Sequence, residues 1–214
     1  EFSVNRALDH LKVISARPHY VGSPYHRKVE EYLVTEFQNL GLKVEIQEEE
    51  VLGKKSLSGT RVRNILTRIE GREPGKALLL LSHYDSELHT SLGASDAGSG
   101  VVTILESLRA FLEQGEQPKN DIIVLISDAE ELGLLGAQAF VDKHRWSEDV
   151  GLVLNFEARG SGGPALMFVE TNQGNERLIH AFDRAKTPHP FSNSLFYSIY
   201  KLLPNDTDLT VFRQ

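Results

Sequence analysis

Apolar residues recur at three- and four-residue steps from the start of the chain, at Val4, Leu8, Leu11 and Ile14, with Ser3 placed as an N-cap. That spacing predicts an amphipathic helix over Val4 to Ile14. A loop bracketed by Arg17-Pro18 and Gly22-Ser23-Pro24 follows, and Val29, Leu33, Phe37 and Leu40 predict a second helix that stops at Gly41. From Val44 to Val51 the period changes to two, as in a half-covered strand, and Asn64 to Glu70 predicts another strand after the polar Gly53 to Thr60 connection. The middle of the chain then alternates: strand Ala77 to Ser82, helix Gly100 to Glu113, strand Asp121 to Ser127, helix Leu132 to His144, strand Leu152 to Phe156. Such alternation predicts an α/β fold with a mostly parallel mixed sheet flanked by helices. Ala165 to Val169 reads as a further strand, Asn175 to Ala185 as a helix, and Asp206 to Arg213 as the start of one more. No repeat or linker divides this pattern, so residues 1–214 are expected to form a single domain.

Composition narrows the function classes. The chain has 214 residues, 40% apolar and 25% charged, with 23 basic against 30 acidic side chains and no dense Lys/Arg tract, which argues against a nucleic-acid or anionic-membrane partner. The longest apolar runs, such as Ala77 to Leu81, fall far short of a membrane span of roughly 18 residues. Zero cysteines exclude thiol catalysis and thiolate metal sites without choosing a compartment. Small molecules or peptides remain as the expected partners.

Ligands of open α/β sheets sit at the carboxyl ends of the strands. There the chain places His83 and Asp85, then Asp128, Glu130 and Glu131, then Glu157, while Gly93-Ala94-Ser95-Asp96 feeds a helix. Singly these residues decide nothing: a lone strand-end histidine is commonly a hydrogen-bonding group, and Glu130-Glu131 alone fits an acidic first helical turn. Together they gather an imidazole and several carboxylates on one rim, a costly arrangement unless cations hold it, so a site for two metals is expected. His83-Tyr84-Asp85 puts a carboxylate where it can orient the second ring nitrogen. Of the adjacent Glu130 and Glu131, one can coordinate while the other takes a proton from water. The remaining histidines are expected to be surface or packing residues. No Gly-x-Ser-x-Gly elbow, Walker loop or His-Glu-x-x-His helix is present, and Gly160 to Ala165 matches a dinucleotide fingerprint only loosely, reading instead as a flexible rim beside Glu157.

Ser82-His83-Tyr84-Asp85-Ser86, Gly93-Ala94-Ser95-Asp96, Ala129-Glu130-Glu131-Leu132-Gly133-Leu134-Leu135-Gly136 and Asn155-Phe156-Glu157 resemble the co-catalytic di-zinc exopeptidases of the leucyl aminopeptidase and aminopeptidase Y type. The Asn155 to Pro164 and Asn205 to Phe212 segments look most like the branch holding the endoplasmic-reticulum metallopeptidase and the vacuolar membrane protease. The resemblance implies that His83, Asp96 and Glu157 bind one zinc, that Asp96 bridges to a second zinc held by Glu131, and that Glu130 is the general base with Asp85 orienting His83. It also implies an aminopeptidase acting on peptides, in a secreted, periplasmic or membrane-anchored extracytoplasmic setting. Two departures stand out. Ala97 replaces a second aspartate, and the family's remaining ligand to the second zinc is a histidine beyond the position of Phe212, so the chain is expected to stop before it and to hold that zinc weakly. A glutaminyl-cyclase-type zinc acyltransferase and a non-catalytic peptidase-like binding domain are the competing readings.

Overall fold

The computed structural model describes residues 1–53, 58–158, 176–186, 195, 202 and 206–213. It divides into two compact units, residues 1–160 with 207–214, and residues 161–206. In the first unit the helices are α1 (Val4–Ile14), α2 (Pro24–Asn39), α3 (Ser99–Leu112) and α4 (Leu135–Lys143), and the strands are β1 (Val44–Leu52), β2 (Gly59–Ile69), β3 (Ala77–His83), β4 (Ile122–Ser127) and β5 (Val150–Asn155). The second unit contributes α5 (Glu176–Arg184), and the chain returns to the first unit in the short α6 (Asp208–Val211). The strand expected over Ala165 to Val169 and the glycine-rich segment from Gly160 lie outside the described residues.

One sheet runs in the order β1-β2-β4-β3-β5. β3 pairs in parallel with β4 and β5, while β2 is antiparallel to both β1 and β4, so every strand except β2 points the same way. Successive side chains alternate between the two faces. Ile65, Val124 and Ile126 pack beneath α1, α2 and α3 with Ile14, Leu33, Phe37, Val101 and Leu105, whereas Leu66, Leu79, Leu81, Ile123 and Leu125 pack against Phe140 of α4. Two apolar faces on one sheet require two helical layers, which gives a three-layer α/β/α architecture. Each fully buried Leu, Ile or Phe contributes roughly 1.5–3 kcal/mol to this arrangement.

Two boundaries differ by three residues or more from the spacing-based expectation. β2 begins at Gly59 and not near Asn64, because Arg61 and Arg63 lie on the strand and pair with Glu48 and Glu50 of β1. Cross-strand charge pairs hold a stretch whose polarity reads as loop. α4 begins at Leu135, three residues beyond the expected Leu132, because Gly133 N and Leu134 N both donate to Glu130 O at 2.8 Å and close a turn ahead of the helix. The cap falls as expected at α1, where Ser3 Oγ accepts from Arg6 N; at α2 Ser23 Oγ accepts from His26 N with Pro24 at the first turn.

α1 is fastened to α3 by a buried charge. The Glu106 side chain has no exposed surface and accepts from Ser3 N at 2.7 Å, Arg109 Nε at 2.7 Å and Arg6 Nη2 at 3.1 Å. Burial favours its neutral form, but the Arg109 and Arg6 guanidinium groups outweigh burial and hold the carboxyl down at about 2, against an ordinary value of 4.5. A depressed folded-state value means the stabilisation is complete above about pH 4.5 and lost as pH falls through about 2. Glu106→Gln is therefore expected to destabilise the fold by about 2–3 kcal/mol at pH 7. Urea titrations of the two proteins should show that gap closing as pH falls from 4.5 toward 2; a gap independent of pH would contradict the assignment.

Candidate metal centre

The C-terminal ends of β3, β4 and β5 bring the candidate residues together. His83 ends β3, in register with Ser127 of β4, and is buried. Its Nε2 lies 3.0 Å from Asp96 Oδ1 and 3.5 Å from Glu157 Oε1. Asp96 sits in the irregular turn Ala94–Gly98 ahead of α3, with the Asp96–Ala97 peptide cis, and Glu157 lies just past β5. His83, Asp96 and Glu157 each offer one ligand atom within 4.8 Å of the others, and so do His83, Glu130 and Glu131. All the metal ligands and the base expected from the sequence therefore share one cluster in the first unit.

Asp85 has a broader role than its spacing suggests. The ring nitrogen Nδ1 of His83 lies 2.9 Å from the Asp85 backbone carbonyl and 3.4 Å from its carboxylate. The carboxylate itself accepts from Glu130 N at 3.0 Å and Glu131 N at 3.2 Å. One residue thus fixes the imidazole with its main chain and the Glu130-Glu131 pair with its side chain.

The turn carrying those two glutamates is closely folded. Leu135 N donates to Ala129 O and Gly136 N to Asp128 O, while Ala129 takes a left-handed φ of 56° and is fully buried. Gly136 is required here: a Cβ would stand 2.2 Å from Asp128 O and 2.5 Å from Asn64 Oδ1. Gly93, at φ +57°, meets a similar demand beside His19, whose Cε1 would lie 2.9 Å from an added Cβ.

Two residues in or beside the cluster escaped the sequence reading. Asp208 of α6 is buried, its carboxylate accepts from Ser127 Oγ, and its Oδ1 has no hydrogen-bond partner among the described residues. Burial and the neighbouring Glu157 and Asp85 charges push it up to about 7. Its signal was an acid at the start of a late helix, which reads as ordinary dipole pairing. His26, expected to be a surface or packing histidine, is buried, and its Nε2 lies 2.8 Å from Asp128 Oδ1. His19 is buried as well, with its backbone N–H donating to Ser86 Oγ.

Electrostatics describe a cation site. Burial, then the charge of Asp208, push Glu130 up to about 9; burial, then Asp96, push Glu131 up to about 7; burial likewise raises Glu157. Burial disfavours a charged His83, yet its hydrogen bonds to Asp85, Asp96 and Glu157 hold it well above the ordinary imidazole range. The donor set suits zinc, whose ligands at 2.0–2.2 Å in a tetrahedron stand about 3.4 Å apart, close to the separations around His83 Nε2. Glu157 Oε2 is buried and, among the described residues, has no hydrogen-bond partner, which leaves it available as a ligand atom in the same place.

Residues 64–214 match the model of peptidase family M28. The chain belongs to that family. Among M28 relatives, the vacuolar membrane protease of Candida dubliniensis is 34% identical over 95% of this chain, which spans only 22% of that protein. A Zn-dependent exopeptidase from Parabacteroides distasonis shares the fold, with a TM-score of 0.73 at 18% identity, over 99% of this chain and 80% of its own. The glutaminyl cyclase of Porphyromonas gingivalis superposes with a TM-score of 0.59 at 27% identity, over 67% of this chain and 54% of its own.

Gly136→Ala is expected to displace the Glu130-Glu131 turn and destabilise the fold by about 3 kcal/mol, since backbone and not a flexible side chain blocks the new methyl group. Chemical denaturation measures this, and an unshifted midpoint would contradict the packing of the turn.

Proposed function

We propose that this M28 chain is the catalytic part of a zinc-dependent exopeptidase, an aminopeptidase removing N-terminal residues from peptides. The observation that carries the reading is the single cluster of His83, Asp96, Glu157, Glu130 and Glu131, organised around Asp85. In this reading His83, Asp96 and Glu157 would hold one zinc, and Glu131 would help to hold a second. Zinc supplies a Lewis acid that polarises the scissile carbonyl and makes water a nucleophile near neutral pH. Glu130 takes the proton of the attacking water and returns it to the leaving amine. Asp85 keeps Glu130 and the imidazole in mutual register during that transfer.

The relatives are named for a membrane, and among the described residues no helix is long and apolar enough to cross one. We place the chain on an extracytoplasmic or lumenal side, with peptides and not nucleic acids as its partners. A second reading, a glutaminyl-cyclase-type acyltransferase, is favoured by the likeness to the Porphyromonas gingivalis enzyme.

Matched peptides with free and acetylated N-termini separate these readings. Cleavage from the free amine alone supports the aminopeptidase, whereas ammonia release from an N-terminal glutamine without peptide cleavage supports the cyclase. Glu130→Gln is expected to retain zinc while lowering kcat by about 10²–10⁴-fold. Zinc analysis beside steady-state kinetics checks it, and undiminished turnover would remove Glu130 from its role.

A further inference from the structure

We propose that His26 and Asp128 are positioning residues that hold the Glu130-Glu131 turn in register with His83. Asp128 stands two residues before Glu130, and each of its polar groups is engaged. Its N–H donates to Asn64 Oδ1 at 3.0 Å and its carbonyl accepts from Gly136 N at 2.9 Å. Its carboxylate meets His26 Nε2 at 2.8 Å and accepts from Arg63 N at 2.8 Å. Asn64 extends the brace, donating to Gly136 O at 2.8 Å and to Gln47 Oε1 at 2.9 Å. The turn is thus pinned at both ends from β2, beneath a residue of left-handed backbone, Ala129.

His26 connects this brace to the other half of the site. Its ring stacks on Tyr84, with centroids 4.8 Å apart and planes 10° from parallel, and Tyr84 lies between His83 and Asp85 in the chain. The Tyr84 hydroxyl donates to Arg63 O at 3.2 Å, on the residue whose N–H holds Asp128. One imidazole therefore touches the segment that carries the metal-site histidine with its face, and the segment that carries the glutamates with its edge. A flat ring with a polar edge meets both demands at once, and an aliphatic side chain meets neither. A mere packing role accounts for the stack on Tyr84 but not for the 2.8 Å contact with a carboxylate whose other oxygen accepts from Arg63 N.

The kinetic part of the test rests on the peptidase reading, and a second part does not. In the intact protein, His26→Leu removes the polar edge, whereas His26→Gln keeps an amide N–H near the position of Nε2. Amide exchange of Glu130 and Glu131, the two N–H groups held by Asp85, is expected to accelerate at least about tenfold in His26→Leu. The β4 amides of Val124 and Leu125 are expected to keep their protection, and His26→Gln to restore that of the two glutamates. With zinc content unchanged, kcat is expected to fall about 10–100-fold in His26→Leu, with KM within about twofold, and to recover in His26→Gln. Unaltered exchange at Glu130 and Glu131, or equal acceleration throughout β4, would overturn the proposal, as would failure of glutamine to rescue the exchange. If wild-type protein cleaves no peptide, the peptidase reading fails and the exchange measurement still decides the positioning role. Should His26→Leu not fold, His26→Asn, whose amide falls short of Asp128, carries the same comparison.

Discussion

Concentrating carboxylates in a buried place is the constraint around which this molecule is organised. Asp85, Glu130, Glu131, Glu157 and Asp208 gather with Asp96 about His83, and burial together with mutual repulsion raises most of their affinities for protons. Two like charges 4 Å apart at the effective dielectric of a protein repel by about 4 kcal/mol, a large fraction of the net stability of a domain. A divalent cation converts that repulsion into attraction. The cluster is thus intelligible as a metal centre and hard to account for as a structural feature.

Holding the cluster against its own repulsion falls to backbone hydrogen bonds from charge-neutral neighbours. Glu130 N and Glu131 N are aimed at Asp85, Gly136 N at Asp128 O, and Asp128 N at Asn64. These partners are short side chains and main-chain groups, which lose little rotamer freedom when ordered. In the turn that results, Glu130 is placed relative to His83 through Asp85, a residue two positions from His83 that bonds both. Precision in such a site comes from the supporting bonds more than from the ligands themselves.

Periodicity made the helices and strands legible, because burial on one face of an element leaves a period of 3.6 or 2 in the chain. The strand-end residues were legible for a related reason: in an α/β fold the position just after an apolar run has a fixed address at the carboxyl end of the sheet. What escaped was pairing at a distance. His26 meets Asp128 across 102 positions, and Ser127 meets Asp208 across 81. Nothing in the local spacing of His26, which lies in the first turn of an amphipathic helix, distinguishes a histidine turned toward the site from one turned to solvent. Arg61 and Arg63 misled in the opposite sense, since their polarity suggests a loop until Glu48 and Glu50 stand across from them.

The other end of the same sheet shows that the acid cluster is not a by-product of an acidic chain. There an open cleft of ≈ 590 Å³ is lined by Lys43, Glu45, Arg68, Asp121, Arg145 and Trp146, among others. Two of its acids meet guanidinium groups: Arg68 binds Asp121, and Asp149 beyond the cleft, while Arg145 binds Glu45, and both arginines lie over the Trp146 ring. At the carboxyl ends of the strands, by contrast, Asp85, Asp96 and Glu157 share the single imidazole of His83 at 3.4, 3.0 and 3.5 Å. Acids gathered at the end where α/β sheets bind their ligands set up a local field that favours a cation there.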